Sequence, residues 1–259
     1  MISVIVCSRK PPSWQEHIRN VAITIGCRHE YVRVDNTANA LGICAAYNQG
    51  LTRAGGDVVV FVHEDVFFIE PGWGVRVQEL FSRNPALGLA GVAGTQYLCA
   101  DTPSWVAAGR PFIHGMVIHD MDGGNRSVLT VYSWERGEVE TVAVDGLFMA
   151  IRASLFPSIG FDQTTFDGFH FYDLDICMQV RAQGYRVMVT DAVLLRHLSG
   201  GSYDHVWMEY ARRFVGKYRQ ALPATCVDSV PVAGTAQRFE SFDITDRIKG
   251  ALACLGGCG

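Results

Sequence analysis

Residues 58–66, VVVFVHEDV, constrain this chain more than any other stretch. Four valines and a phenylalanine in succession pack well on a pleated surface and lose side-chain freedom in a helix, so the run reads as a strand buried on both faces. It ends abruptly in His63, Glu64 and Asp65. Ligands of open α/β sheets bind outside the carboxyl ends of the strands, where a carboxylate is well placed to hold a cation against a phosphate. The same acids also suit a turn or a helix start, so this run alone leaves both readings open.

The flanking sequence supplies the partners such a strand needs. Residues 1–7 (MISVIVC) form a first strand followed by a polar loop. Ser13 with Glu16 three residues on has capping-box spacing, and Ile18, Val21, Ala22 and Ile25 give the helix after it one apolar face before Gly26. Residues 30–34 form a second strand closed by Asp35, and residues 39–54 read as a small-residue helix carrying Asn48. This βαβαβ order predicts a doubly wound, mostly parallel sheet, with the loops after Cys7, Val34 and Val62 along one rim.

Beyond a helix at 73–81 and a short glycine-containing strand at 87–93 the pattern changes. Residues 95–144 lose the alternation and show short strand-like pieces, 112–119 and 128–132, separated by the turn Asp122-Gly123-Gly124-Asn125. A small antiparallel hairpin lying over the site is expected. Asp145-Gly146 then leads into the buried strand LFMAIR. The aromatic run FDGFHFYDLDIC opens a helix whose first turn holds Asp173 and Asp175, acids that also complement the helix dipole. A strand at 185–190 precedes the loop containing His197, and 203–218 is an arginine- and aromatic-rich helix, a candidate contact surface for a homo-oligomer. The remainder, 221–259, lacks strong periodicity apart from a helix at 244–255, so it is read as a tail, partly helical or mobile.

Bulk properties exclude several classes. The chain of 259 residues has ordinary globular composition, 49% hydrophobic and 19% charged. A net charge of −4 with no long basic cluster excludes a nucleic-acid footprint. No stretch approaches a membrane span and no basic leader opens the chain, so a cytoplasmic protein is expected. The eight cysteines contain no CxxC pair, which argues against structural zinc and against a disulfide framework.

Taken together, ISVIVCS, the VDN at Asp35, AAYNQGLTRAGGDVVVFVHEDV, VDGLFMAIR, FDGFHFYDLDICMQVRAQGYRV and RHLSGGS resemble the inverting family 2 glycosyltransferases with a GT-A fold. More narrowly they resemble the branch related to streptomycin-biosynthesis glycosyltransferase-like proteins. The resemblance covers about 200 residues and implies one domain over 1–220, with a nucleotide-binding half, 1–94, and an acceptor and catalytic half, 95–220.

Residue by residue, the resemblance implies that Ser8, Asp35, Asn48 and Glu64 bind the donor. Asp65 and His197 would hold Mn²⁺ or Mg²⁺, and Asp173 would be the catalytic base. The donor would be a nucleoside-diphosphate sugar and the acceptor a saccharide or small molecule. Two positions depart from the family pattern: His63 stands where the metal motif has its first acid, and Tyr172 stands where most members have Glu. The chemistry asks for the same groups. A cation neutralises the leaving diphosphate, and a positioned carboxylate takes the proton of the attacking hydroxyl. Alternatives are a nucleotidyltransferase that makes a nucleotide sugar and a non-catalytic nucleotide-binding module. The first is disfavoured because the loop after the first strand lacks glycine.

Overall fold

The computed structural model describes residues 1–10, 13–200, 203–230 and 239–256. The chain opens with β1 (Ile2–Ser8), α1 (Ser13–Thr24), β2 (His29–Asp35), α2 (Ile43–Leu51) and β3 (Val58–Val62). Strands β2 and β3 flank β1, and both run parallel to it. The middle of the chain supplies β4 (Val66–Phe68), α3 (Trp73–Arg83), β5 (Leu87–Gly91), β6 (Ala93–Thr95), β7 (Tyr97–Leu98), β8 (Ile113–Met121), β9 (Arg126–Val131), β10 (Glu138–Thr141), β11 (Ala143–Val144) and β12 (Phe148–Arg152). It closes with α4 (Tyr172–Ala182), β13 (Arg186–Thr190), β14 (Leu195–His197), α5 (His205–Lys217), β15 (Ala224–Thr225), β16 (Glu240–Asp243) and α6 (Thr245–Gly256).

Seven strands make the main sheet in the order β10-β13-β5-β12-β3-β1-β2. The sheet is mixed, because β12 enters between β3 and β5 antiparallel to both. Its first residue, Phe148, pairs with Val62 at the carboxyl end of β3. That reversal places Asp145 and Gly146, just before β12, beside the rim of the sheet. The expected hairpin is present as β8 and β9, which pair antiparallel.

All seven residues of β1 are buried, as a central strand of this kind requires. Alternation then divides them between two cores. Ile5 and Cys7 join Tyr47, Cys177 and Phe214 from α2, α4 and α5, whereas Ile2, Val4 and Val6 join Val21 of α1, Ile25 just after it, and Trp73 and Leu80 of α3. Each fully buried side chain of this size stabilises the fold by about 1.5–3 kcal/mol relative to exposure.

As expected, β3 stops at Val62; residues 63–65 turn with the amide of Val66 donating to the carbonyl of His63, and β4 continues in a second sheet. Two expectations need correction. The helix expected over 39–54 is only Ile43–Leu51, because Asn39 adopts a left-handed φ of 51° and Gly42 packs against the Asp167 carbonyl, where a Cβ would come within 2.0 Å. The C-terminal residues also contribute more than a helix. Strand β16 pairs with β9, and Ile248 of α6 packs on Ile118 and Ile69. The sequence ESFD gave no strand signal because three of its four residues are exposed at a sheet edge. Cys258 lies outside the described residues. Among the described residues, no helix is long and apolar enough to cross a membrane.

Candidate active site

The turn after β3 brings His63 and Asp65 to the rim. Strand β14 pairs antiparallel with β4 so that His197 lies opposite Val66, and the amide of Leu198 donates to the carbonyl of Asp65 at 3.0 Å. Two residues far apart in sequence are thereby held side by side by backbone pairing. One ligand atom from each of His63, Asp65 and His197 lies within 4.8 Å of the others. Nε2 of His197 stands 3.4 Å from Oδ1 of Asp65 and 3.2 Å from the Ser199 hydroxyl.

Burial opposes ionisation of Asp65, but the hydrogen bond and charge of His197, with lesser help from His63, outweigh it and hold the carboxyl below its ordinary range. For His197 burial favours the neutral ring, and Asp65 again outweighs it, so its pKa is raised. At His63 the balance reverses: burial, with the charge of the neighbouring His197, outweighs the pull of Asp65 and Asp145, lowers its pKa and keeps the ring neutral. Two imidazoles and one carboxylate at this spacing suit a divalent cation, and their nitrogen donors are open to transition metals.

The aromatic run before α4 turns sharply at Phe171, whose φ is 64°, and starts the helix with Tyr172 and Asp173. Oδ1 of Asp173 accepts the Leu174 amide at 2.9 Å and Oδ2 accepts the Gly146 amide at 3.0 Å. A helix N-terminus favours a carboxylate. Burial and the nearby Asp145 charge win over those amides and push the Asp173 pKa up to about 7. A carboxyl with that value is matched to proton transfer near neutral pH. Behind it, buried Asp175 anchors the helix through Lys217 Nζ at 2.6 Å, the Tyr218 hydroxyl at 2.6 Å and Gln179 Nε2 at 2.7 Å.

A cavity of about 640 Å³ opens over these groups, large enough for a cofactor-sized ligand. Asp65, Asp145 and Asp173 all line it, with the basic residues Arg9 and Lys10 and the aromatic residues Trp105, Phe169, Tyr203 and Trp207. Glu64 lines it as well and accepts the amides of Arg9 and Lys10, tying down the loop after β1. His197 does not line the cavity but touches Asp65, which does.

The other sequence-derived positions fall elsewhere. Ser8 is buried with its hydroxyl unpartnered and does not line the cavity, although its neighbour Cys7 does. Asp35 sits exposed at the end of β2, paired with Arg33 and accepting from Thr37, also outside the lining. Asn48 points its amide at the Phe161 carbonyl and at Gln163, so its contacts are structural. The sequence placed His63 at the first position of the metal motif but did not count it among the ligands, whereas the structure groups it with Asp65 and His197. Reading the sequence also missed the contact of Tyr172 with His63, for which no local pattern exists.

The model of a family described as glycosyltransferase-like matches residues 3–219. Among curated proteins, ATP synthase subunits region ORF 6 of Fuscovulum blasticum is 26% identical over 212 residues, 78% of this chain and 76% of that protein. Among solved structures, this chain is similar to GalNAc-T7 with UDP, GalNAc and Mn²⁺, at a TM-score of 0.54 and 12% identity. The match covers 82% of this chain and 47% of that one, so this chain spans about half of its length. It is also similar to the mannosyltransferase PcManGT from Pyrobaculum calidifontis with GDP-Man and Mn²⁺, at a TM-score of 0.53 and 16% identity, over 100% of this chain and 75% of that one. At these identities the likeness is one of fold.

Proposed function

The chain belongs to the glycosyltransferase-like family and has an α/β fold of GT-A type, and from the chemistry of its cavity we propose that it moves a sugar from a nucleoside-diphosphate donor to an acceptor hydroxyl with inversion. One observation carries this reading: Asp65 of the metal-competent cluster and Asp173, with its pKa near 7, line the same cavity. A site for diphosphate charge and a site for the acceptor proton are what such a transfer needs together.

The donor's diphosphate belongs at the Asp65 end. A divalent cation, Mn²⁺ or Mg²⁺, held by Asp65 and His197 with His63 would act there as a Lewis acid on the leaving diphosphate. At the other end Asp173 accepts the acceptor's hydroxyl proton as that oxygen bonds to the anomeric carbon and the bond from carbon to diphosphate oxygen breaks. Attack opposite the leaving group inverts the anomeric centre, and the proton on Asp173 is then lost to water. A positioned carboxylate of this kind contributes roughly 10²–10⁴-fold. Asp145 lines the cavity near Asp173 and is placed to hold the acceptor. Free buried Cys7, Cys44 and Cys177 fit a reducing compartment, in keeping with a cytoplasmic enzyme.

A thermal-shift screen of nucleoside-diphosphate sugars with and without Mn²⁺, followed by assay of nucleoside diphosphate release, tests the proposal. One donor class should stabilise the protein only with the cation and then be consumed. A protein that responds to no nucleotide sugar would contradict it.

A further inference from the structure

The two positions at which this chain departs from the family pattern touch each other. The hydroxyl of Tyr172 lies 2.6 Å from Nε2 of His63, across 109 residues of sequence. Tyr172 is 4% exposed and leaves its hydroxyl little room to move. Gly146 closes the other side, where a Cβ would lie 2.2 Å from the hydroxyl oxygen. The backbone of His63 is fixed too, its amide donating to the Leu147 carbonyl at 3.2 Å. Ring and backbone of His63 are therefore both held, with the His63 and His197 ring centroids 5.7 Å apart.

A histidine that ligates a cation through one ring nitrogen donates the proton on the other to a fixed acceptor, which sets its tautomer and orientation. The Tyr172 oxygen, 2.6 Å from Nε2, is positioned to serve as such an acceptor. With Nε2–H directed at it, the lone pair is left on Nδ1. We infer that Tyr172 is a positioning residue that makes His63 a nitrogen ligand, and that the site therefore selects a transition-metal cation over Mg²⁺. This rests on the reading that His63, Asp65 and His197 hold the cation. The donor set becomes two imidazole nitrogens and one carboxylate oxygen, whereas Mg²⁺ favours oxygen and gives up its water shell reluctantly. An acid in place of His63 would supply a second hard oxygen ligand, and the preference would weaken.

The test is a titration with Co²⁺, whose visible absorption reports its ligands, on the full chain without nucleotide. Wild-type protein should bind Co²⁺ with bands of nitrogen coordination, and a hundredfold excess of Mg²⁺ should not displace it. Tyr172→Phe keeps the ring and removes only the hydroxyl. It should weaken Co²⁺ binding by about 10–100-fold and alter the spectrum, with far-ultraviolet circular dichroism showing the variant folded. His63→Gln should lose affinity to at least the same extent and weaken the nitrogen-coordination bands of the wild type. A folded Tyr172→Phe with unchanged affinity and spectrum would overturn the inference. Equal sugar transfer with Mg²⁺ and with Mn²⁺ would also overturn it, while leaving the transfer reading intact.

Discussion

The Gly146 amide donates to Oδ2 of Asp173 at 3.0 Å, joining the turn that leads into β12 to the first turn of α4. The contact is possible because Gly146 carries no side chain. A Cβ there would meet the Tyr172 ring and hydroxyl at 2.2–2.8 Å. Gly146→Ala therefore forces the first turn of α4 outward. Urea unfolding should show a loss of about 1–3 kcal/mol, typical of overpacking, and sugar transfer should fall by more than donor binding.

The raised pKa of Asp173 gives a pH signature. If Asp173 is the base, kcat/KM should rise as pH passes through about 7 and level off above it, and Asp173→Asn should abolish transfer together with that limb.

The same shift has a stability counterpart. Asp173 ionises near its ordinary 3.8 in the unfolded chain but only near 7 when folded. Between those values the folded state keeps a proton that the unfolded state has released, so this residue's contribution to stability falls as pH rises. Urea unfolding across this range should show a flatter pH dependence for Asp173→Asn than for wild type. At pH 8 the variant should be the more stable protein, by an amount of order a few kcal/mol.

Asp65→Asn keeps the shape of the side chain and removes its charge. Mn²⁺-dependent stabilisation by nucleoside diphosphate should disappear. In wild type that stabilisation reaches about 2.7 kcal/mol at a hundredfold excess of ligand over Kd. Calorimetric titration of the nucleotide with and without Mn²⁺ measures it, and unchanged metal-dependent binding would place the cation elsewhere.

Asp175, 1% exposed, depends on Lys217 for its countercharge. Lys217→Met leaves that carboxylate buried with only its Tyr218 and Gln179 hydrogen bonds. Unfolding should show a loss of about 3 kcal/mol, near the low end for breaking a buried pair. Adding Asp175→Asn should restore most of it. Donor binding at low temperature should survive the single change, because Lys217 lies outside the cavity lining.

Much of this architecture was legible in residue patterns. The valine run, the βαβαβ opening and the Asp122–Asn125 turn each appear close to where periodicity and turn chemistry put them, because each is decided locally. What local pattern could not show was pairing. That β12 enters antiparallel depends on how the chain returns after residue 95, and that return brings Gly146 to Asp173. The contact of His197 with Asp65 follows from the register of β14 on β4, two strands of three residues each, too short to carry a signal. Asn48 shows the same limit, since its partners at Phe161 and Gln163 lie more than a hundred residues away along the chain.

The central claim is that a donor site at Asp65 and a proton acceptor at Asp173 serve one reaction. Binding of the nucleotide sugar with Mn²⁺ and formation of glycosylated product, measured side by side for wild type and Asp173→Asn, test it most directly. The account predicts donor affinity within a few-fold of wild type and product formation reduced by at least about 10². An Asp173→Asn protein that still transfers sugar at the wild-type rate would contradict it.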